Sequence, residues 1–148
     1  MHIYGIAIKS AKRGPMKEVD LREISVSSGL EGDFRGRGGV FRKRQVTIIS
    51  LQQWHDACTA AGMDLPWYTR RAGLCIDGVT FGPSDVGRKI TIGGNVVLEV
   101  TGETGPCKRM DEARQGLRAA LTPDWRGGIT CRVVKGGIVQ KNSPVSFL

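Results

Sequence analysis

Histidine is almost missing from this 148-residue chain: only His2 and His55 occur, which excludes a multi-histidine metal site. Its four cysteines, Cys58, Cys75, Cys107 and Cys131, are widely scattered and form no Cys-x-x-Cys pair. That is too sparse for a disulfide scaffold and unlike the closely paired ligands of structural zinc. They read as reduced thiols of a cytosolic protein, of which one or two at most are reactive. No apolar run approaches the roughly 18–20 residues of a membrane span. The opening Met1-His2-Ile3-Tyr4-Gly5-Ile6 lacks a basic stretch leading into an apolar block, so no signal peptide is expected. Aromatic residues supply only 6% of the chain, and acids are in deficit: 14 Asp and Glu against 22 Lys and Arg leave a net charge of +8. An imbalance of that size favours anionic partners.

What is present is a compact alternation of short apolar runs and glycines. With 40% apolar and 24% charged residues, the chain is not a disordered polar one. Its length suits one domain spanning 1–148, and no linker, repeat or low-complexity tract interrupts it. Strands are expected at Ile3–Ile8, Ile24–Val26, Gln45–Ile49, Leu74–Ile76, Lys89–Ile92, Val96–Val100, Ile129–Val134, Ile138–Gln140 and near Val145–Phe147, where β-branched residues recur. Gly93-Gly94-Asn95 and Gly136-Gly137 supply tight turns. Two stretches carry a helical period. Ser50-Leu51-Gln52-Gln53 has the form of a capping box, Leu51, Trp54, Cys58 and Ala61 follow on one face, and Gly62 stops the helix. A second helix is expected from about Asp111 to Leu121. Many short strands with two short helices in the connections predict a mainly β fold, a closed or nearly closed β-barrel that leaves no exposed sheet edge.

Cys107 stands out chemically. It lies in Thr101-Gly102-Glu103-Thr104-Gly105-Pro106-Cys107-Lys108-Arg109, between a strand and a helix, where glycine and proline keep the backbone irregular and near the surface. Lys108, Arg109 and the helix start favour thiolate, the form that acts as nucleophile and metal ligand. A functional thiol and a plain surface cysteine both satisfy these features. Cys58 and Cys131 sit on apolar faces, Cys75 faces opposite to its strand neighbours Leu74 and Ile76, and all three read as structural cysteines. Arg35, Arg37, Arg42, Lys43 and Arg44 fall together among glycines with no acid between them. Glycine lets backbone amides approach an anion, and arginine forks match phosphate oxygens. A solvated basic loop and non-specific nucleic-acid attraction are the alternatives, although Phe41 is the sole stacking residue and no nucleic-acid motif accompanies it. Arg70-Arg71 and Arg126-Gly127-Gly128 add cations beside turns. Glu31 and Asp33 in Gly29-Leu30-Glu31-Gly32-Asp33 suit a turn whose acids bond backbone amides better than an acid–base pair.

Taken in order, these pieces resemble the MOSC domain, named for the C-terminal domain of molybdenum-cofactor sulfurases. The likeness rests on Ile3–Ile8 with Lys9 and Pro15, on Gly29-Leu30-Glu31-Gly32-Asp33, on Arg44-Gln45-Val46-Thr47-Ile48-Ile49 and on Arg70-Arg71-Ala72-Gly73-Leu74. Val86-Gly87, Leu98-Glu99-Val100-Thr101, Pro106-Cys107 and the stretch from Gly127-Gly128 to Gly136-Gly137-Ile138-Val139 complete it. The resemblance implies a barrel-like β fold, and a Cys107 that carries sulfur as a persulfide or ligates molybdenum. Arg44, Arg70, Arg71 and Arg126 would hold the anionic molybdenum cofactor (molybdopterin), with Lys108 and Arg109 beside the thiol. It implies as partners a cysteine desulfurase or an electron-transfer protein, and as activity sulfur transfer or reduction of N-hydroxylated compounds. The alternative is a non-enzymatic module that binds an anionic ligand or nucleic acid; no membrane partner and no specific nucleic-acid site are expected. Pyridoxal phosphate, bound elsewhere in the wider sulfurase family by a separate N-terminal domain, is not expected in so short a chain. Departures are Phe34-Arg35 where relatives often have histidine, Arg71-Ala72-Gly73 in place of Arg-x-Asn, and Lys141-Asn142-Ser143 in place of Gly-Asp near the end.

Overall fold

The computed structural model describes residues 1–36 and 43–148; Arg37, Gly38, Gly39, Phe41 and Arg42 of the basic run lie outside the described residues. The strands are β1 (His2–Ile8), β2 (Lys17–Val19), β3 (Leu21–Ser25), β4 (Gly29–Leu30), β5 (Val46–Ser50), β6 (Leu74–Asp77), β7 (Lys89–Ile92), β8 (Val96–Glu103), β9 (Ile129–Lys135), β10 (Gly137–Gln140) and β11 (Val145–Phe147). Helices α1 (Leu51–Ala61), α2 (Lys108–Ala113) and α3 (Leu117–Leu121) lie between them, with short 3-10 turns at Phe34–Gly36, Trp67–Arg70, Pro83–Asp85 and Pro123–Trp125.

A large sheet runs in the order β11-β7-β8-β9-β5-β6-β1-β2, and a small one in the order β10-β3-β4. All pairs are antiparallel except β5 with β6, and α1 is the crossover that a parallel pair requires. The part of the large sheet formed by β1, β5 and β6 is buried on both faces, which explains why these strands read as nearly continuous apolar runs. One face packs Ile6, Ile48, Leu74, Ile76 and Leu98 against Ile24, Leu30 and Val139 of the small sheet. The other packs Ala7, Ile49 and Cys75 under Trp54, Ala57 and Cys58 of α1 and Leu117 and Leu121 of α3.

Three expectations need correction. The barrel is not closed: β2 and β11 end the large sheet, and its two margins meet only at an isolated bridge between His2 and Pro144. Ile3 N–H donates to Ser143 O at 2.9 Å and Val145 N–H to Met1 O at 3.0 Å there. Both end strands are three residues long, too short to carry a closing ladder, and the small sheet covers the inner face instead. The single helix expected over 111–121 is two helices. Gly116 takes a left-handed φ of 94°, and the Asp111 carboxylate accepts the Gly116 N–H at 3.2 Å and the Arg118 N–H at 3.0 Å, so the chain restarts rather than continues. The capping box is half formed. Ser50 Oγ accepts the Gln53 N–H at 3.2 Å, but the Gln53 amide, buried, donates to the Phe81 and Asp124 carbonyls at 3.0 and 2.8 Å. The Phe81 and Asp124 carbonyls need a donor, and the Gln53 amide supplies it in place of reaching back to Ser50.

Candidate functional site

The site begins with a close approach. Gly5 of β1 has no side chain because the Trp67 ring lies where one would stand: a Cβ there would sit 2.6 Å from Cζ2. Trp67 is buried and its indole N–H donates to Glu18 at 3.1 Å. So anchored, the turn Trp67–Arg70 presents two arginines in opposite senses. Arg70 points inward and is only 7% exposed. Its Nε donates to Gly127 O at 2.9 Å, its Nη2 to Thr104 O at 3.0 Å, and its Nη1 meets Met110 Sδ at 3.8 Å. One guanidinium thus ties together the loop before Cys107, the turn before β9 and helix α2. Burial pushes this group down to about 10 even though Cys107 acts in the opposite sense, so it stays charged at neutral pH. Arg71 ends the turn with a left-handed φ of 68°, a conformation that is uncommon for non-glycine residues and that clusters at functional sites.

A second layer fixes Arg71. Asp33 is buried and accepts the Lys9 N–H at 2.9 Å; its two carboxylate oxygens also take Arg35 Nε at 3.0 Å and Nη2 at 3.2 Å. Arg35 then donates through Nη1 to Thr47 Oγ1 at 3.3 Å and to the Arg71 carbonyl. The Arg71 guanidinium in turn donates to Gly14 O. Asp33 therefore accepts a backbone amide, as expected of an acid in that turn, and in addition pairs with the Arg35 guanidinium.

These segments enclose a cavity of about 160 Å³ lined by Lys9, Arg35, Arg44, Thr47, Arg70, Arg71, Ala72, Thr104, Cys107, Arg109, Met110 and Gly127. No carboxylate is in that lining. Cys107 is exposed and also borders an outer depression with Lys9, Lys12, Arg13, Lys108, Arg109 and Glu112. The thiol thus stands on the rim between two cationic hollows. Thr104 lies in the inner one, 8% exposed, and its buried Oγ1 has no hydrogen-bond partner among the described residues. Gly127 completes the wall: a Cβ would run into Thr104 O and stand 3.3 Å from Pro106 Cδ.

Of the sequence candidates, Cys107, Arg44, Arg70, Arg71 and Arg109 share the inner cavity. Lys108 faces the outer hollow. Arg126 lines neither; its Nη1 donates to Ala120 O at 3.1 Å, near the end of α3. Lys9 and Arg35, read from the sequence only as an anchor and as part of a basic run, belong to the wall. Thr47, quoted within the Arg44 to Ile49 likeness, and Thr104, within the Cys107 loop, carried no signal of their own. The cations repel one another. Lys9 is held below its usual value by burial and then by Arg35 and Arg71, with Asp33 opposing; Arg71 is lowered by burial and then by Arg109 and Arg35. Such a cluster is relieved by an anion. No group of three or more His, Cys, Asp or Glu suited to a metal occurs among the described residues, and no helix among them is long and apolar enough to cross a membrane.

The MOSC domain family matches residues 29–146 of the chain. Solved structures share the architecture. The YuaD protein from Bacillus subtilis superposes with a TM-score of 0.81 at 20% identity, over 99% of this chain and 94% of that one. YiiM from Geobacillus stearothermophilus gives 0.74 at 14% identity over 99% and 74% of the two chains, and YiiM from Escherichia coli gives 0.72 at 15% over 100% and 70%. No curated protein matches the sequence.

Proposed function

Because the chain belongs to the MOSC domain family, a family associated with the molybdenum cofactor, we propose that it is a molybdenum-cofactor-related protein whose Cys107 carries sulfur as a persulfide. The observation that carries this reading is the exposed Cys107 thiol on the wall of a cavity whose charged groups are all cations. In the loading step the Cys107 thiolate attacks the terminal sulfur of a donor persulfide. A new S–S bond forms, the donor's S–S bond breaks, and the donor leaves as a thiolate. The cations hold the anionic product in place.

The residues present fit the molybdenum cofactor as well. Cys107 offers a soft ligand, Lys9, Arg44, Arg71 and Arg109 suit its phosphate, and the orphaned Thr104 Oγ1 leaves one polar valence open. The inner cavity takes only one end of such a group; the outer hollow and the depression bounded by Lys12, Phe34 and Lys43 adjoin it. When bound, the cofactor supplies a redox metal, and the chain's own part is to bind and orient it. A cytoplasmic setting and a cysteine desulfurase or electron-transfer partner complete the proposal.

The test is incubation with a cysteine desulfurase and sulfur-labelled cysteine, followed by mapping of the label. Label at Cys107 that is absent from Cys107→Ala supports sulfur carriage; equal label in both sinks it. Metal analysis of protein from a molybdenum-replete host checks the cofactor independently. Retention on DNA that vanishes at modest salt would reveal charge attraction alone.

A further inference from the structure

We propose that the inner cavity binds thiosulfate and that Cys107 takes its outer sulfur; the inference rests on the sulfur-carrier reading and names a donor for it. Size is the first argument. A cavity of about 160 Å³ admits one sulfur on a sulfite head whole, but only one end of a pterin or a nucleotide. Charge is the second. A thiolate and a dianion repel, so their encounter needs compensating cations beside them. Lys9, Arg35, Arg44, Arg70, Arg71 and Arg109 provide them without a single acid in the lining. Arg35 and Arg70 are occupied with Asp33 and backbone carbonyls. Among the described residues, no hydrogen bond or ion pair engages the Lys9 ammonium or the Arg44 guanidinium, which leaves both for a ligand. The third argument is the Thr104 hydroxyl, nine-tenths buried in the cavity and unpartnered; a sulfonate-type oxygen gives it an acceptor.

The step balances without another reactant. The Cys107 thiolate attacks the outer sulfur, a Cys107 Sγ–S bond forms, and the S–S bond of thiosulfate breaks. Its electron pair leaves with sulfite, and no proton is needed. Cyanide then removes the sulfur as thiocyanate and restores the thiolate.

The experiment incubates the protein with thiosulfate alone, reading one added sulfur by intact mass and sulfite release, and then with cyanide, reading thiocyanate. A parallel sample is loaded by a cysteine desulfurase. Saturable loading by thiosulfate is expected, abolished in Cys107→Ala and competed by sulfate at constant ionic strength. Arg44→Gln should raise the half-saturating concentration about ten-fold or more, as loss of a charge-assisted hydrogen bond does. Thr104→Val should raise it about two- to ten-fold; Arg44 is exposed, so its variant tests the idea even if Thr104→Val folds poorly. Loading by the desulfurase but not by thiosulfate overturns this inference and leaves sulfur carriage standing. Loading by neither overturns both. Thiosulfate loading that neither saturates nor responds to Arg44→Gln also overturns it.

Discussion

Replacing Arg70 separates the two things its guanidinium does. Its hydrogen bonds to Gly127 O and Thr104 O are charge-assisted, worth about 1.5–3 kcal/mol each. Against them stands the cost of keeping a cation out of water: burial pushes the group down to about 10, well below the usual guanidinium range, which opposes the charge by about 3 kcal/mol. The bonds outweigh that cost by at most about 3 kcal/mol. Arg70→Met, similar in volume, should therefore lose only about 1–3 kcal/mol in urea unfolding, the midpoint moving while the slope stays put. Function should suffer far more, because the loop that carries Cys107 loses its attachment to the turn before β9. Sulfur loading of Cys107 by a desulfurase is expected to fall at least ten-fold, with faster alkylation of the thiol. Arg70→Lys should not rescue loading, since an ammonium cannot span two carbonyls as a fork does. An Arg70→Lys protein as stable as the parent and loaded as fast would refute the reasoning.

Other expectations follow from single contacts. In the native protein, iodoacetamide should label Cys107 alone, and all four cysteines only after denaturation; Cys58, Cys75 and Cys131 are buried and burial raises each thiol. Gly127→Ala should cost roughly 1–3 kcal/mol through overpacking against Thr104 O and Pro106, measured by thermal or urea unfolding. The Arg132 guanidinium, hydrogen-bonded to Glu99 at 2.8 Å, holds that carboxyl below its usual range. Its folded value thus lies under its unfolded one, so the pair's contribution is full above the unfolded value and lost as pH falls through the folded one. Glu99→Gln should accordingly be destabilised by about 0.2–1 kcal/mol at pH 7, with the gap from the parent closing in acid; a gap that widens there contradicts the pairing.

How much of this was legible in the sequence depends on what each signal reports. Runs such as Lys89–Ile92 and Val145–Phe147 match their strands because β-branched residues at a two-residue period need only local reading. Strands β2 and β4 left no trace: Lys17–Val19 and Gly29–Leu30 are too short to show a period. Barrel closure failed because it depends on whether distant edges meet, which no local pattern encodes. The placement of Arg126 failed similarly. A cation next to Gly127-Gly128 looks like its neighbours in composition, yet the short turn at Pro123–Trp125, with Asp124 and Trp125 at positive φ, sends it back to α3. That Cys107 stands exposed in an irregular loop was legible because its surroundings are local, whereas the chain from Asp33 through Arg35 to the Arg71 carbonyl emerged only once three separate segments were seen together.

That the inner hollow is walled by Lys9, by Arg35, Arg44 and Thr47, by Arg70 to Ala72, by Thr104, Cys107, Arg109 and Met110, and by Gly127 makes occupancy a property of the finished chain. A nascent protein still emerging, or one with its last third unfolded, has no cradle to fill. Whatever charge-bearing guest the hollow holds will therefore act as a proofreader of folding, raising the melting temperature only of molecules that are whole.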